Sequence, residues 1–228
     1  MRKTNTGVWF SSLFLMALLP GITGLAYADT IIDTIPSWIG IGVNPFGSPD
    51  TETYGQTITV PLTDPVLLSW TFYMKQSPSI HFRGEVYAWN GFMATGPNLF
   101  ESAVMTTTAS DAYQPITFNT GGLALTPGDI YVLFASSSND AQSGGAGTWE
   151  IVPGNSYTGG AFRYLNNGAD ATQWTTNFWS KSEIYDLAFK ADFDSPAAVP
   201  EPSARILLAT MLCVIFVLTR LGRKVPHA

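Results

Sequence analysis

The sequence predicts an all-β fold, a two-sheet β-sandwich over residues 29–194, flanked by an apolar segment at each end of the chain. Three observations predict it. Apolar and polar residues alternate in short runs, the period of a strand with one buried face, and helical periodicity is missing almost throughout that stretch. Clusters of Gly, Pro, Asn and Asp punctuate the runs at the spacing of an antiparallel sandwich. Between the ends, Asp29 to Ser195 is about 167 residues, one domain of ordinary size that is large enough for a proper core.

The first element is residues 1–28. Arg2 and Lys3 form a positive start, Val8 to Leu19 is apolar, and Pro20-Gly21 ends any helix. Ala26-Tyr27-Ala28 then supplies the small-x-small site that a signal peptidase cuts, so cleavage after Ala28 is expected. An uncleaved N-terminal anchor is the alternative.

Within the domain the clearest strand is Leu67 to Met74. Leu68, Trp70, Phe72 and Met74 fall on one face, and Ser69, Thr71 and Tyr73 on the other. Further strands are expected at Gln56–Val60, His81–Trp89, Ile116–Phe118, Ile130–Ser136, Thr148–Val152, Ala161–Leu165 and Ile184–Ala191, eight or nine in all. Thr126-Pro127-Gly128-Asp129 and Asn166-Asn167-Gly168 are turn sequences, and Ser136 to Gly147 reads as a long Ser/Gly-rich loop. No internal repeat is seen.

Residues 195–203 follow as a small-residue linker, and 204–228 as a C-terminal transmembrane helix with a basic tail. The apolar run from Ile206 is about 21 Å of helix at ~1.5 Å per residue, short for a bilayer core of about 30 Å. Arg205 and Arg220 would have to snorkel. The basic residues after the run place the tail in the cytoplasm and the body outside. Hydropathy does not separate a permanent anchor from one held only until processing.

Between Asp29 and Ser195, five basic side chains face sixteen acidic ones, a balance of −11. That argues against nucleic acid and against anionic membrane surfaces as partners of the body. Cys213, in the apolar tail, is the single cysteine, so the domain has no disulfide and no thiolate zinc site.

The order Val199-Pro200-Glu201-Pro202, apolar helix, then Arg220, Arg223 and Lys224 resembles the PEP-CTERM sorting signal of exported bacterial proteins. The resemblance implies recognition of Pro200, Glu201 and Pro202 by an exosortase-type membrane transpeptidase, with the body delivered to the cell surface or an exopolysaccharide matrix. Pro200 and Pro202 fix φ and hold the chain extended, which suits a transpeptidase cleft. Arg205 and the glycine-poor helix depart from the usual pattern. In the body, Tyr54 to Val60, Leu125-x-Pro127-Gly128-x-x-Tyr131, Tyr157-x-Gly159-Gly160 to Arg163-Tyr164, Trp174, and Asp186 to Lys190 look loosely like galactose-binding-like jelly-roll modules of bacterial surface proteins. That likeness implies a jelly-roll-like sandwich; it does not fix a ligand.

Catalysis finds little support. The domain has one histidine, His81, with no nucleophile elbow and no metal-hydrolase spacing, so no catalytic residue is assigned. Glu85 lies mid-strand and shares a face with Arg83, Tyr87 and Trp89. That face reads either as a sugar platform or as a solvated surface with an Arg83–Glu85 pair of little energetic weight. Trp38, Trp174 and Trp179 are candidates to stack on sugar rings, or to serve as core. Asp29, Asp33, Asp192 and Asp194 supply the oxygens a structural calcium would need if the domain's two ends meet, or are simply solvated; no other cofactor is expected. Three readings follow: a non-enzymatic matrix or adhesion protein, which leads; a carbohydrate-binding module for exopolysaccharide; and a small glycan hydrolase.

Overall fold

The computed structural model describes residues 29–49, 51–77, 80–140 and 146–196, with Met211, Leu212 and Ile215 in helical conformation. The expected signal peptide with Ala26 and Ala28, the sorting motif from Val199 to Pro202, and Arg220, Arg223 and Lys224 lie outside the described residues. Among the described residues no helix is long and apolar enough to cross a membrane.

The strands described are β1 (Thr30–Asp33), β2 (Gly42–Phe46), β3 (Thr53–Thr59), β4 (Val66–Ser77), β5 (His81–Trp89), β6 (Ala94–Glu101) and β7 (Met105–Thr106). They continue with β8 (Ser110–Ala124), β9 (Ile130–Ser136), β10 (Ala146–Pro153), β11 (Phe162–Leu165), β12 (Ser180–Lys181), β13 (Tyr185–Leu187) and β14 (Phe189–Asp194). They form two antiparallel sheets. The first runs β1-β14-β4-β10-β13, with β8 alongside β4 and β2 alongside β10. The second runs β12-β11-β3-β9-β5-β6, with β7 alongside β5. The chain is therefore an all-β, two-sheet sandwich, as the alternation predicted.

The core between the sheets is aromatic. Trp70 and Phe72 of β4, Phe118 of β8, Trp149 of β10 and Phe189 and Phe193 of β14 face Phe82 and Val86 of β5 and Ile58 of β3. Trp70 stacks on Phe118 with centroids 4.7 Å apart, and Phe72 tilts against Trp149 at 4.8 Å. Gly84 in β5 is what lets Phe118 come across: a Cβ there would sit 2.2 Å from the Phe118 ring. Deep burial of such rings is the main favourable term, at ~25 cal/mol per Å² of apolar surface.

The expected face of β4 is right from Trp70 to Met74 and slips before it. Leu67, not Leu68, enters the core, because the β4–β8 register shifts between Leu67 and Ser69. A bulge adds one residue and turns the preceding side chains over. The strands missed by the sequence reading (β1, β2, β6, β7 and β12) are short, or carry Pro and Gly within them. Residues 141–145 of the expected long loop lie outside the described set; its first part, Ser138–Asp140, forms a single helical turn.

One buried polar network ties the sheets together. Gln56 of β3 donates through Nε2 to Asp186 of β13 at 3.1 Å and accepts from the Leu187 amide at 3.0 Å. Asp186 also accepts from the Tyr157 amide at 3.0 Å. Gln56, Asp186 and Leu187 are fully enclosed, so these bonds fix the mutual register of the two layers.

Candidate functional site

The outer face of the second sheet corrects three of the aromatic candidates. Trp89, Trp174 and Trp179 are 9%, 4% and 4% exposed and form a second apolar cluster with Val132, Phe134 and Leu165. Phe134 lies 5.1 Å from Trp174 and 5.2 Å from Trp179, edge to face. The segment before Trp174 folds back because Asp170 caps a single helical turn, Ala171–Trp174, by accepting from the Thr172 amide. Both indole N–H groups are satisfied inside: Trp174 donates to Thr53 Oγ1 at 3.2 Å, Trp179 to the Trp174 carbonyl at 2.9 Å. Trp174 and Trp179 are thus core residues of an added layer, not a sugar platform.

Glu85 is neither part of an open sugar platform nor a solvated surface acid. Glu85 does share the outer face of β5 with Arg83, but it is 0% exposed. Its Oε2 accepts from Asn98 Nδ2 at 2.5 Å, while Oε1 is buried with no hydrogen-bond partner among the described residues. Burial foremost, opposed by the Asn98 bond and reinforced by the carboxylate of Glu101, raises the Glu85 pKa to about 8. Glu101 is its cross-strand neighbour on β6. Arg83 bonds not to Glu85 but to Glu101 at 3.0 Å and Asp140 at 2.9 Å.

The remaining candidates are placed as follows. Trp38 is half-buried, donates Nε1 to the Ile41 carbonyl at 2.8 Å and meets Tyr113 edge to face at 5.3 Å. β1 and β14 do pair, bringing the terminal aspartates to neighbouring strands. Lys190, however, is the register partner of Asp33 and bonds Asp192 at 2.6 Å. Lys190 thus pairs with one of the four candidate aspartates, and among the described residues no three acid, His or Cys side chains converge on a metal position. His81 Nδ1 lies 2.8 Å from Thr106 Oγ1 across the β5–β7 pair.

What the structure brings together is a cleft at the open edge between the sheets. Val43 and Asn44 of β2 and Tyr185 of β13 supply one wall; Tyr54 of β3 and Phe162 and Tyr164 of β11 supply the other. The cavity holds about 330 Å³. The rings are ordered by register: Tyr164 pairs with Tyr54 across β11–β3, with centroids 6.5 Å apart, and Phe162 lies 5.3 Å from Tyr54. Tyr54 and Phe162 are buried and form the floor. Tyr164 (36% exposed) and Ile184 (61% exposed) reach the mouth, where Asn44, Thr51 and Ser182 add polar groups. Apolar ring faces with a few polar groups at the rim are what a sugar ring recognises. The period-two spacing of Phe162 and Tyr164 was visible in the sequence; that β2 and β13 would close the other wall was not.

No family model matches the chain, and no curated protein matches it. Among solved structures the chain is similar to one containing the cysteine protease and lectin-like domains of Cwp84, a surface layer associated protein of Clostridium difficile, at 12% identity and a TM-score of 0.44. The match covers 64% of this chain and 32% of that chain, so it spans about a third of that protein's length.

Proposed function

We propose that this chain is an exported surface protein whose sandwich body holds polysaccharide in the tyrosine-lined cleft, without catalysis. The observation that supports the reading is the cleft itself: Tyr164, Tyr185 and Ile184 offer partly exposed apolar surface around a cavity of about 330 Å³, with Asn44 and Ser182 beside it. Among the described residues nothing charged lines it, so the class of ligand it suits is a neutral sugar. On this reading the jelly-roll-like body is carried across the membrane by residues 1–28. It is held by the C-terminal helix and recognised at Pro200-Glu201-Pro202 by an exosortase-type enzyme. Cell surface or extracellular matrix is then its place of work.

Affinity electrophoresis of the full chain through gels containing neutral polysaccharides tests the binding. The wild type is expected to be retarded, and Tyr164→Ala to run free while keeping its melting temperature. Equal retardation of both proteins would remove the cleft from the proposal. A purely structural matrix role predicts no retardation by any polysaccharide.

A further inference from the structure

On the opposite side of the β11–β12 edge, the outer face of the second sheet carries a different hollow. Its cavity of about 300 Å³ is lined by Thr57 and Thr59 of β3, Trp89 of β5, Arg163 of β11 and Lys181 of β12, with the backbone of Gly159 and Gly160 at one rim. A neighbouring hollow of about 560 Å³ shares Trp89, Gly91 and Ile130 with it, so the two form one extended trough.

In the smaller hollow the charge runs against the rest of the body, while Asp129 lines the larger one. Two of the five basic residues between Asp29 and Ser195 stand side by side, as Arg163 and Lys181 are direct cross-strand partners. The other arginine of the body, Arg83, is held by two carboxylates. Arg163 is not: among the described residues no carboxylate lies within ion-pair distance of it, and its Nε is buried without a hydrogen-bond partner. Its guanidinium carbon lies 5.1 Å from the Trp89 ring centroid, a packing that leaves the planar fork in one orientation. Desolvation foremost presses its pKa down, and the charge of Glu183, the partner of Lys181, pushes the other way. Lys181 has an exposed partner, Glu183, at 2.9 Å, a contact of the kind that exchanges readily with solvent or ligand.

The buried Nε is out of a ligand's reach, so what Arg163 can offer the trough is the rest of its half-buried guanidinium, which no carboxylate among the described residues pairs. The natural complement is a planar carboxylate, which Arg engages through two parallel hydrogen bonds. The hydroxyls of Thr57 and Thr59 and the trough's length suit an attached sugar ring. We propose that this trough binds a carboxylate-bearing sugar of an acidic polysaccharide, with Arg163 and Lys181 on the carboxylate. The inference rests on the polysaccharide reading above and uses a different site from the cleft.

Isothermal titration of the full chain, purified in detergent, with hexagalacturonate and with its fully methyl-esterified form tests it, since esterification removes the charge and keeps the rings. The wild type is expected to bind the acid at least tenfold more tightly than the ester. Arg163→Gln should abolish that preference, and Lys181→Gln, at an exposed position that leaves the fold untouched, should reduce it several-fold. Equal affinity for acid and ester in the wild type would overturn the proposal, as would a full preference retained in R163Q. Saturable binding of sodium sulfate with no binding of hexagalacturonate would show a free-anion site and also overturn it. Failure here and failure of the cleft are separable: R163Q reads the acid-to-ester ratio, Y164A the affinity for neutral oligomers.

Discussion

Glu85→Gln should change how the stability of this protein depends on pH, and by a large amount. Glu85 is 0% exposed and its pKa is raised to about 8, chiefly by burial. In the unfolded chain it ionises near 4.5. Between those values the folded state binds the proton and the unfolded state does not, so stability falls as pH rises. The contribution is fully present below pH 4.5 and lost as pH rises through about 8. At ~1.4 kcal/mol per pH unit, the wild type should lose about 4 kcal/mol from this group over the interval. Glutamine mimics the protonated acid. Its oxygen can keep the Asn98 bond, and its amide takes the place of Oε1. Urea unfolding followed by tryptophan fluorescence at pH 5 to 9 measures the effect. E85Q and wild type are expected to be similar at pH 5, with E85Q more stable at pH 9. Subtracting the two curves cancels the titrations they share. Parallel curves would refute the reasoning, because Glu85 would then ionise alike in both states.

Four other outcomes follow from the same structure. Glu150, almost fully buried, has its pKa raised by burial to about 7, so Glu150→Gln should flatten the stability loss between pH 4.5 and 7 in the same titration. Gly84→Ala forces a methyl into the Phe118 ring and should cost ~1–3 kcal/mol in urea unfolding; a neutral result would mean the two sheets sit further apart. Trp174→Ala should cost ~3–5 kcal/mol through the cavity it leaves, with no loss of glycan affinity in the protein that remains folded. Intact mass of the protein from its native host should end near Pro200–Pro202, and Glu201→Ala should retain Ile206–Ala228; a wild-type mass that keeps the tail would mean a permanent anchor.

Much of the sandwich was legible because its strands obey the period of two. His81–Trp89 and Ile130–Ser136 have the expected limits, and the outward set Arg83, Glu85, Tyr87 and Trp89 shares a face as predicted. What that face meets was not legible. Glu85 looks like a surface acid until β6 and Asn98 cover it, and Trp174 looks exposed in a polar loop until the Asp170 turn folds it onto Phe134. Both errors come from tertiary contacts between residues far apart in sequence, which no local pattern records. The cleft failed to appear for the same reason. Its walls come from β2, β3, β11 and β13; β2 was not expected, and the single strand expected at Ile184–Ala191 breaks at Ala188 into β13 beside β10 and β14 beside β4.

Side-chain NMR during titration with neutral oligosaccharides tests the central claim most directly. The account predicts saturable shifts of the Tyr164 and Tyr185 ring signals and the Ile184 methyls, while the indole signals of Trp174 and Trp179 stay in place. Shifts confined to those indoles, or no saturable shift at the cleft with any neutral oligosaccharide, would contradict it.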